Sequence, residues 1–209
     1  MLDPVARLSE ILFGLIMALT FTGTLDVATA GATDVRMLLV GTIGCNLAWG
    51  LVDGVMFLIS ALTERGRNLV TVREVRAAAS PDQARQIIAN ALPPVVASIM
   101  TADELESLRR GLLVLPSLPE GPSLTRDDWM RALAIFLLVF LSTFPVVIPF
   151  IIFDEVRFAL RASNVVAIAM LFAVGFLLAR HGGYRPLVTG ATMVLLGISL
   201  VSIAIALGG

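Results

Sequence analysis

Five long apolar stretches run through the chain, at residues 8–30, 37–62, 129–153, 162–179 and 187–207, and with one exception only short polar turns separate them. Each approaches or exceeds the roughly 20 apolar residues that a helix needs to cross a bilayer. The exception is residues 63–127, where Arg, Asp and Glu become frequent and the apolar runs shorten. Within it the pattern predicts helices near 72–79, at 81–91 and at 102–114. Pro81 suits a first helical turn after Ser80, and Thr101 stands before Asp103 and Glu104 as a second cap. Pro116, Pro119, Gly121 and Pro122 then stop helices and predict a linker. The expected fold is all-α: a polytopic membrane protein with five transmembrane helices and a helical cytoplasmic insertion between the second and third. That divides the chain into 1–62, the first two transmembrane helices, 63–127, the cytoplasmic domain, and 128–209, transmembrane helices three to five.

The polar interruptions refine this picture. Ser9 followed by Glu10 reads as the start of the first helix, where an acid suits the positive helix end, so Glu10 serves equally well as cap or ligand. Thr20, Thr22 and Thr24 are expected to bond back to carbonyls of their own helix, and Asp26 follows near its far end. Gly31 to Asp34 read as a polar turn. The third stretch carries Pro145 and Pro149 in FPVVIPF, which removes two backbone donors and predicts a kink. Asp154, Glu155, Arg157 and Arg161 read as a charged connection, and RHGGYRP at 180–186 as a tight basic turn. Gly190 and Gly197, seven apart, offer close helix packing. The stretch at 8–30 is too long for a signal-peptide core and ends without a clear cleavage pattern, so it is expected to be a retained span.

Hydrophobic residues make up 57 % of the chain, which places it with polytopic membrane proteins. All fifteen basic residues are Arg, a hint of a GC-rich bacterial genome and hence of a bacterial inner membrane. A net charge of −1 leaves no nucleic-acid footprint. The single cysteine, Cys45, and the single histidine, His181, exclude an intramolecular disulfide, a thiolate cluster and a multi-histidine site. No Ser/His/Asp set and no phosphate loop appears, so the reading is not an enzyme and needs no tightly bound cofactor. Five spans put the termini on opposite sides of the bilayer. With the N-terminus cytoplasmic, twelve of the fifteen arginines lie inside and only Arg36, Arg157 and Arg161 outside.

Within the second stretch, Asn46 and Asp53 are seven residues apart and share a helix face with Trp49, Gly50 and Met56 nearby. A carboxylate that deep in hydrocarbon costs about 2.5 kcal/mol or more, so Asp53 should face protein or water and is a functional-site candidate. An alternative stands beside it: the pair could serve only as hydrogen bonds across a helix pair.

The segments Ser9–Glu10–Ile11–Leu12–Phe13–Gly14, Asn46–Leu47 with Gly50, Phe144–Pro145 with Pro149–Phe150, and the ending with Gly197 and Leu207–Gly208 resemble the vacuolar iron transporter family of divalent-metal/proton antiporters. The resemblance implies five spans, one cytoplasmic domain and a homodimer with its pathway between subunits. Departures thin the acid set: Met17–Ala18 stands where the family carries Asp–Gly, Asp53–Gly54 at its Ser–Met position, Phe57–Leu58–Ile59 at its Gly–Glu–Tyr, and Gln83 and Gln86 where acids recur. What remains for a ferrous or manganous ion is Asp53, Asn46, Met17, Glu10 and Met56, with Asp103, Glu104 and Glu106 as a possible cytoplasmic set. So few ligands per chain suggest two chains sharing a site. A buried carboxylate holds a proton when no cation is near and releases it when one binds, so Asp53 could exchange a proton for the metal. The methionines serve equally as apolar filler, His181 as part of a basic turn, and the acidic trio as a solvated helix start. The alternative function is a non-transporting membrane protein of the same fold, a regulatory or assembly partner acting through its cytoplasmic domain.

Overall fold

The computed structural model describes residues 4–23 and 32–206, and these are all-α, without a strand among the described residues. The helices in chain order are α1 (Pro4–Gly23), α2 (Ala32–Ala77), α3 (Pro81–Ala91), α4 (Pro94–Ile99), α5 (Ala102–Val114), α6 (Arg126–Ser142), α7 (Phe144–Ile152), α8 (Val156–Gly182) and α9 (Pro186–Ala206). Among the described residues three stretches are long and apolar enough to cross a membrane: Val35–Ala77, Arg126–Ile152 and Val156–Gly182. The apolar part of α9, Pro186–Leu200, is shorter. The end of the expected first span, with Thr24 and Asp26, lies outside the described residues.

Several boundaries differ from the sequence reading. Helix α1 begins at Pro4, so Ser9 is not its cap; its hydroxyl donates to the Val5 carbonyl at 2.9 Å inside the first turns. Glu10 is thereby released from a capping role. Helix α2 starts at Ala32, within the expected turn, and continues without interruption to Ala77, because no proline occurs before Pro81 to remove a donor. Helix α8 starts at Val156, which puts Arg157 and Arg161 on the helix instead of in a connection. It ends at Gly183, whose φ of 75° no side-chain-bearing residue adopts easily, and the Tyr184 amide closes back on the Ala179 carbonyl at 3.0 Å.

The chain falls into two compact units, Met1–Met56 with Trp129–Gly209, and Phe57–Asp128. In the first, Leu15, Ala18 and Leu19 of α1, Val146 of α7 and Ala167, Leu171 and Val174 of α8 form a buried core. The expected glycine packing holds. A Cβ at Gly190 would lie 3.1 Å from the Phe172 carbonyl and one at Gly197 only 2.5 Å from Leu171, so α9 approaches α8 as closely as small residues permit.

The proline-rich span breaks as expected, and the break falls at Thr143, before both prolines. Pro145 has no N–H for the Leu141 carbonyl, and its ring crowds that turn. The Thr143 amide bonds Phe140 at 3.3 Å and so no longer serves Val139; the Ser142 hydroxyl takes over the Val139 carbonyl at 2.7 Å. Just past the break, the Ser163 hydroxyl on α8 donates to the Val146 carbonyl of α7 at 2.7 Å.

The second unit has its own small core of Val75, Ala84 and Ile88, with Leu105 and Leu112 against it. Its caps follow the sequence: Ser80 accepts from Gln83, and Thr101 and Glu104 form a reciprocal capping box. Three arginines on one face of α2 fasten the end of α5 and the linker after it. Arg76 donates to Leu112 and Leu115, Arg73 to Pro119 and Glu120, and Arg65 to Ser123. Arg65 also grips Asp128 with two contacts, at 2.7 and 2.8 Å.

Candidate functional site

Asn46, Gly50 and Gly54 follow one another at a spacing of four on α2, an amide and then two glycines on one face. That stripe lies against α6 and the α6–α7 break. A Cβ at Gly50 would sit 3.0 Å from the Phe136 carbonyl and one at Gly54 3.1 Å from that of Ala132. Backbones this close leave no room for side chains, and the two helices run antiparallel. Gly14 brings α1 into the same corner: a Cβ there would lie 2.6 Å from the Val139 carbonyl.

Asn46 closes the corner. It is fully buried, and its Nδ2 donates to the Gly14 carbonyl at 3.1 Å and to the Thr143 hydroxyl. Asn46 thus ties α1, α2 and the helix break together with one side chain. Its Oδ1 is buried and has no partner, an unsatisfied acceptor that costs about 1–3 kcal/mol. Through its Nδ2, Asn46 makes hydrogen bonds across helices of the kind the alternative reading describes. It sits about 10 Å along the axis from Asp53, at 1.5 Å per residue.

Going along α2 away from that corner, Trp49 meets Phe13 edge to face, with ring centroids 5.6 Å apart. One turn further, Asp53 of α2 and Glu10 of α1, both half-buried, lie close enough to interact electrostatically. Two carboxylates brought together without a cation between them repel, and a divalent ion or a proton relieves that repulsion. The sequence placed each acid separately; only the antiparallel packing of α1 on α2 makes them a pair.

The remaining candidates disperse. Met56 is 53 % exposed on α2, and Met17 lies seven residues from Glu10 on α1, about 10 Å along the axis and beyond the Asn46 corner at Gly14. Thr20 and Thr22 bond back to Ile16 and Leu19 of their own helix, as expected. In the second unit Glu104 is occupied by its cap. Glu106 is held by Arg85, Arg109 and Arg110, while Asp103 is exposed at the start of α5. The trio therefore does not converge, and no group of three or more His, Cys, Asp or Glu side chains gathers among the described residues. His181 is exposed at the end of α8, its Nδ1 2.9 Å from the Leu177 carbonyl.

Sequence reasoning missed Gly14, Ser142 and Thr143, the corner's other partners. Gly54 was open to detection through its spacing of four from Gly50 and eight from Asn46.

A family model described as the VIT family matches residues 60–209. A comparison with curated proteins found no match. The family match begins after Glu10, Asn46 and Asp53, so the carboxylate pair rests on the geometry alone.

Proposed function

The chain belongs to the VIT family, and we propose that it carries ferrous or manganous ions across a bacterial inner membrane in exchange for protons. The observation that carries this reading is the placement of two half-buried carboxylates, Glu10 and Asp53, on two different apolar helices within electrostatic range of each other. The two carboxylates supply hard oxygen ligands of the kind such ions take. Emptied of the ion, the pair binds protons; loaded, it gives them up, so proton and metal occupy the same oxygens in turn. Two carboxylates and few other donors leave an incomplete shell, which a second copy of the chain or water completes; we assign the pathway to a homodimer. In this reading the chain crosses the membrane five times with its N-terminus cytoplasmic, and residues 63–127 are the cytoplasmic insertion.

Against it stands the non-transporting reading, favoured by one observation: Glu104 and Glu106 are committed to a cap and to arginines instead of being free for metal. Uptake of ferrous and manganous ions into proteoliposomes under an imposed pH gradient separates the two. Wild type should accumulate metal, Asp53→Asn and Glu10→Gln should not, and Met56→Leu should retain most of the uptake. Folded, correctly inserted wild type that accumulates nothing would overturn transport and favour a partner role.

A further inference from the structure

At the end of the first unit where α2 begins, a cavity of about 350 Å³ opens between α2, the end of α7 and the start of α8. This is near the lower end of the range for ligand sites, about 300–1,000 Å³. Its wall is apolar and aromatic, built from Leu39, Phe150 and Phe153. Phe153 is held in place twice: its amide bonds Pro149 at 3.0 Å, and its ring meets Phe158 edge to face at 4.6 Å. The polar lining is one cation and one anion, Arg36 and Asp154. Neither side chain forms an ion pair or hydrogen bond among the described residues, and both are exposed. Opposite charges that line one cavity without pairing are arranged for a ligand that bears both signs.

We propose that this cavity binds a phospholipid with a primary-amine headgroup, its phosphate on Arg36, its ammonium on Asp154 and its glycerol and first methylenes on Leu39, Phe150 and Phe153. The charge complementarity selects the headgroup. Arg presents a fork of donors to phosphate oxygens, and a carboxylate accepts hydrogen bonds from a primary ammonium that a quaternary one cannot give. The apolar wall selects a lipid over a free zwitterion. Helix ends at such a cavity, with aromatic rings beside charged groups, have the composition of a membrane–water interface. The site involves neither Glu10 nor Asp53, so it stands apart from the transport reading.

The test is native mass spectrometry of the full chain, purified in detergent, delipidated and titrated with phosphatidylethanolamine, phosphatidylcholine and phosphatidylglycerol of identical acyl chains. Wild type should retain phosphatidylethanolamine best. Asp154→Asn should abolish its advantage over phosphatidylcholine, and Arg36→Gln should weaken all three by about fivefold or more, the loss of one charge-assisted hydrogen bond. Leu39→Trp, which fills the apolar wall and leaves both charges, should lower retention of every lipid and keeps the proposal testable if a charge variant does not fold. Equal retention of the three lipids by wild type, or an unchanged preference in Asp154→Asn, would overturn it. So would displacement of the lipid by soluble phosphoethanolamine at the same concentration, since the wall would then contribute nothing.

Discussion

Replacing Gly14 by alanine tests whether the corner between α1, α2 and the α6–α7 break is as tight as the geometry says. The new methyl would lie 2.1 Å from the Ser142 hydroxyl oxygen and 2.6 Å from the Val139 carbonyl oxygen. The hydroxyl can rotate away only by releasing Val139, whose carbonyl it satisfies at 2.7 Å. The carbonyl is backbone, and bringing it from 2.6 Å to an ordinary 3.4 Å moves α6 by about 0.8 Å. Overpacking of this kind costs about 1–3 kcal/mol. The displacement also strains the Asn46 bond to Gly14, a class of contact worth about 0.6 kcal/mol between membrane helices. Together these give roughly 2–3 kcal/mol, a loss of about 30-fold or more in the folded-to-unfolded ratio. Gly44 is the control: it lies on α2 with nothing within 4 Å of a Cβ, so alanine there should be neutral or stabilise by up to about 1 kcal/mol. Both variants are compared by reversible denaturation in detergent micelles. Equal stability of Gly14→Ala and Gly44→Ala would refute the close approach of α1 to α6.

Other expectations follow from the same contacts. A double-mutant cycle between Asn46→Leu and Thr143→Val should return a coupling of about 0.6 kcal/mol, and no more than about 1.7; zero coupling in micelle denaturation would mean the side chains do not meet. Ser142→Ala should destabilise by about 1–3 kcal/mol in the same assay, because it strands the buried Val139 carbonyl without a donor. In the second unit, Arg109 first and then Arg110 hold the Glu106 carboxylate down to about 2 from an ordinary 4.5. The unfolded chain therefore binds the proton at higher pH than the folded one, so this stabilisation is complete above about 4.5 and lost as pH falls through about 2. Amide hydrogen exchange of α5 in the intact protein should show a smaller pH dependence over that window in Glu106→Gln, and an unchanged dependence would count against the arginine cluster.

Local rules made much of the fold legible. The boundaries of α3 and α5 follow from Ser80 with Pro81 and from Thr101 with Glu104, since caps and first-turn prolines act within four residues. The proline break was legible as chemistry, without its position. Proline withdraws a donor from the turn before it, and where the helix yields depends on which neighbour replaces that bond; here Ser142 and Thr143 decide it. The start of α1 was misread because a serine followed by glutamate looks the same at a helix start as within it, when the hydroxyl turns back to the preceding carbonyl.

The candidate site was harder to read for a reason of dimension. Asn46 and Asp53 share one face of one helix, and a one-dimensional pattern can show that but cannot show what lies opposite. Asn46 donates to Gly14 and Thr143 and leaves its Oδ1 without a partner, while Asp53 comes within electrostatic range of Glu10, 43 residues away in sequence. The glycine stripe connects the two facts. Because Gly50 and Gly54 let α2 press against α6, and Gly14 lets α1 approach the same helix, α1 and α2 are fixed side by side in an antiparallel register. In that register the Asn46–Gly14 bond and the Glu10–Asp53 pair fall about two turns apart on α2 and about one turn apart on α1. A one-residue slip would break the first and turn the acids away from each other. The packing corner therefore sets the geometry of the carboxylate pair, so in the proposed transport reading Gly14→Ala should lower ferrous uptake into proteoliposomes as well as stability, and uptake equal to wild type in a destabilised Gly14→Ala would separate the corner from the pair.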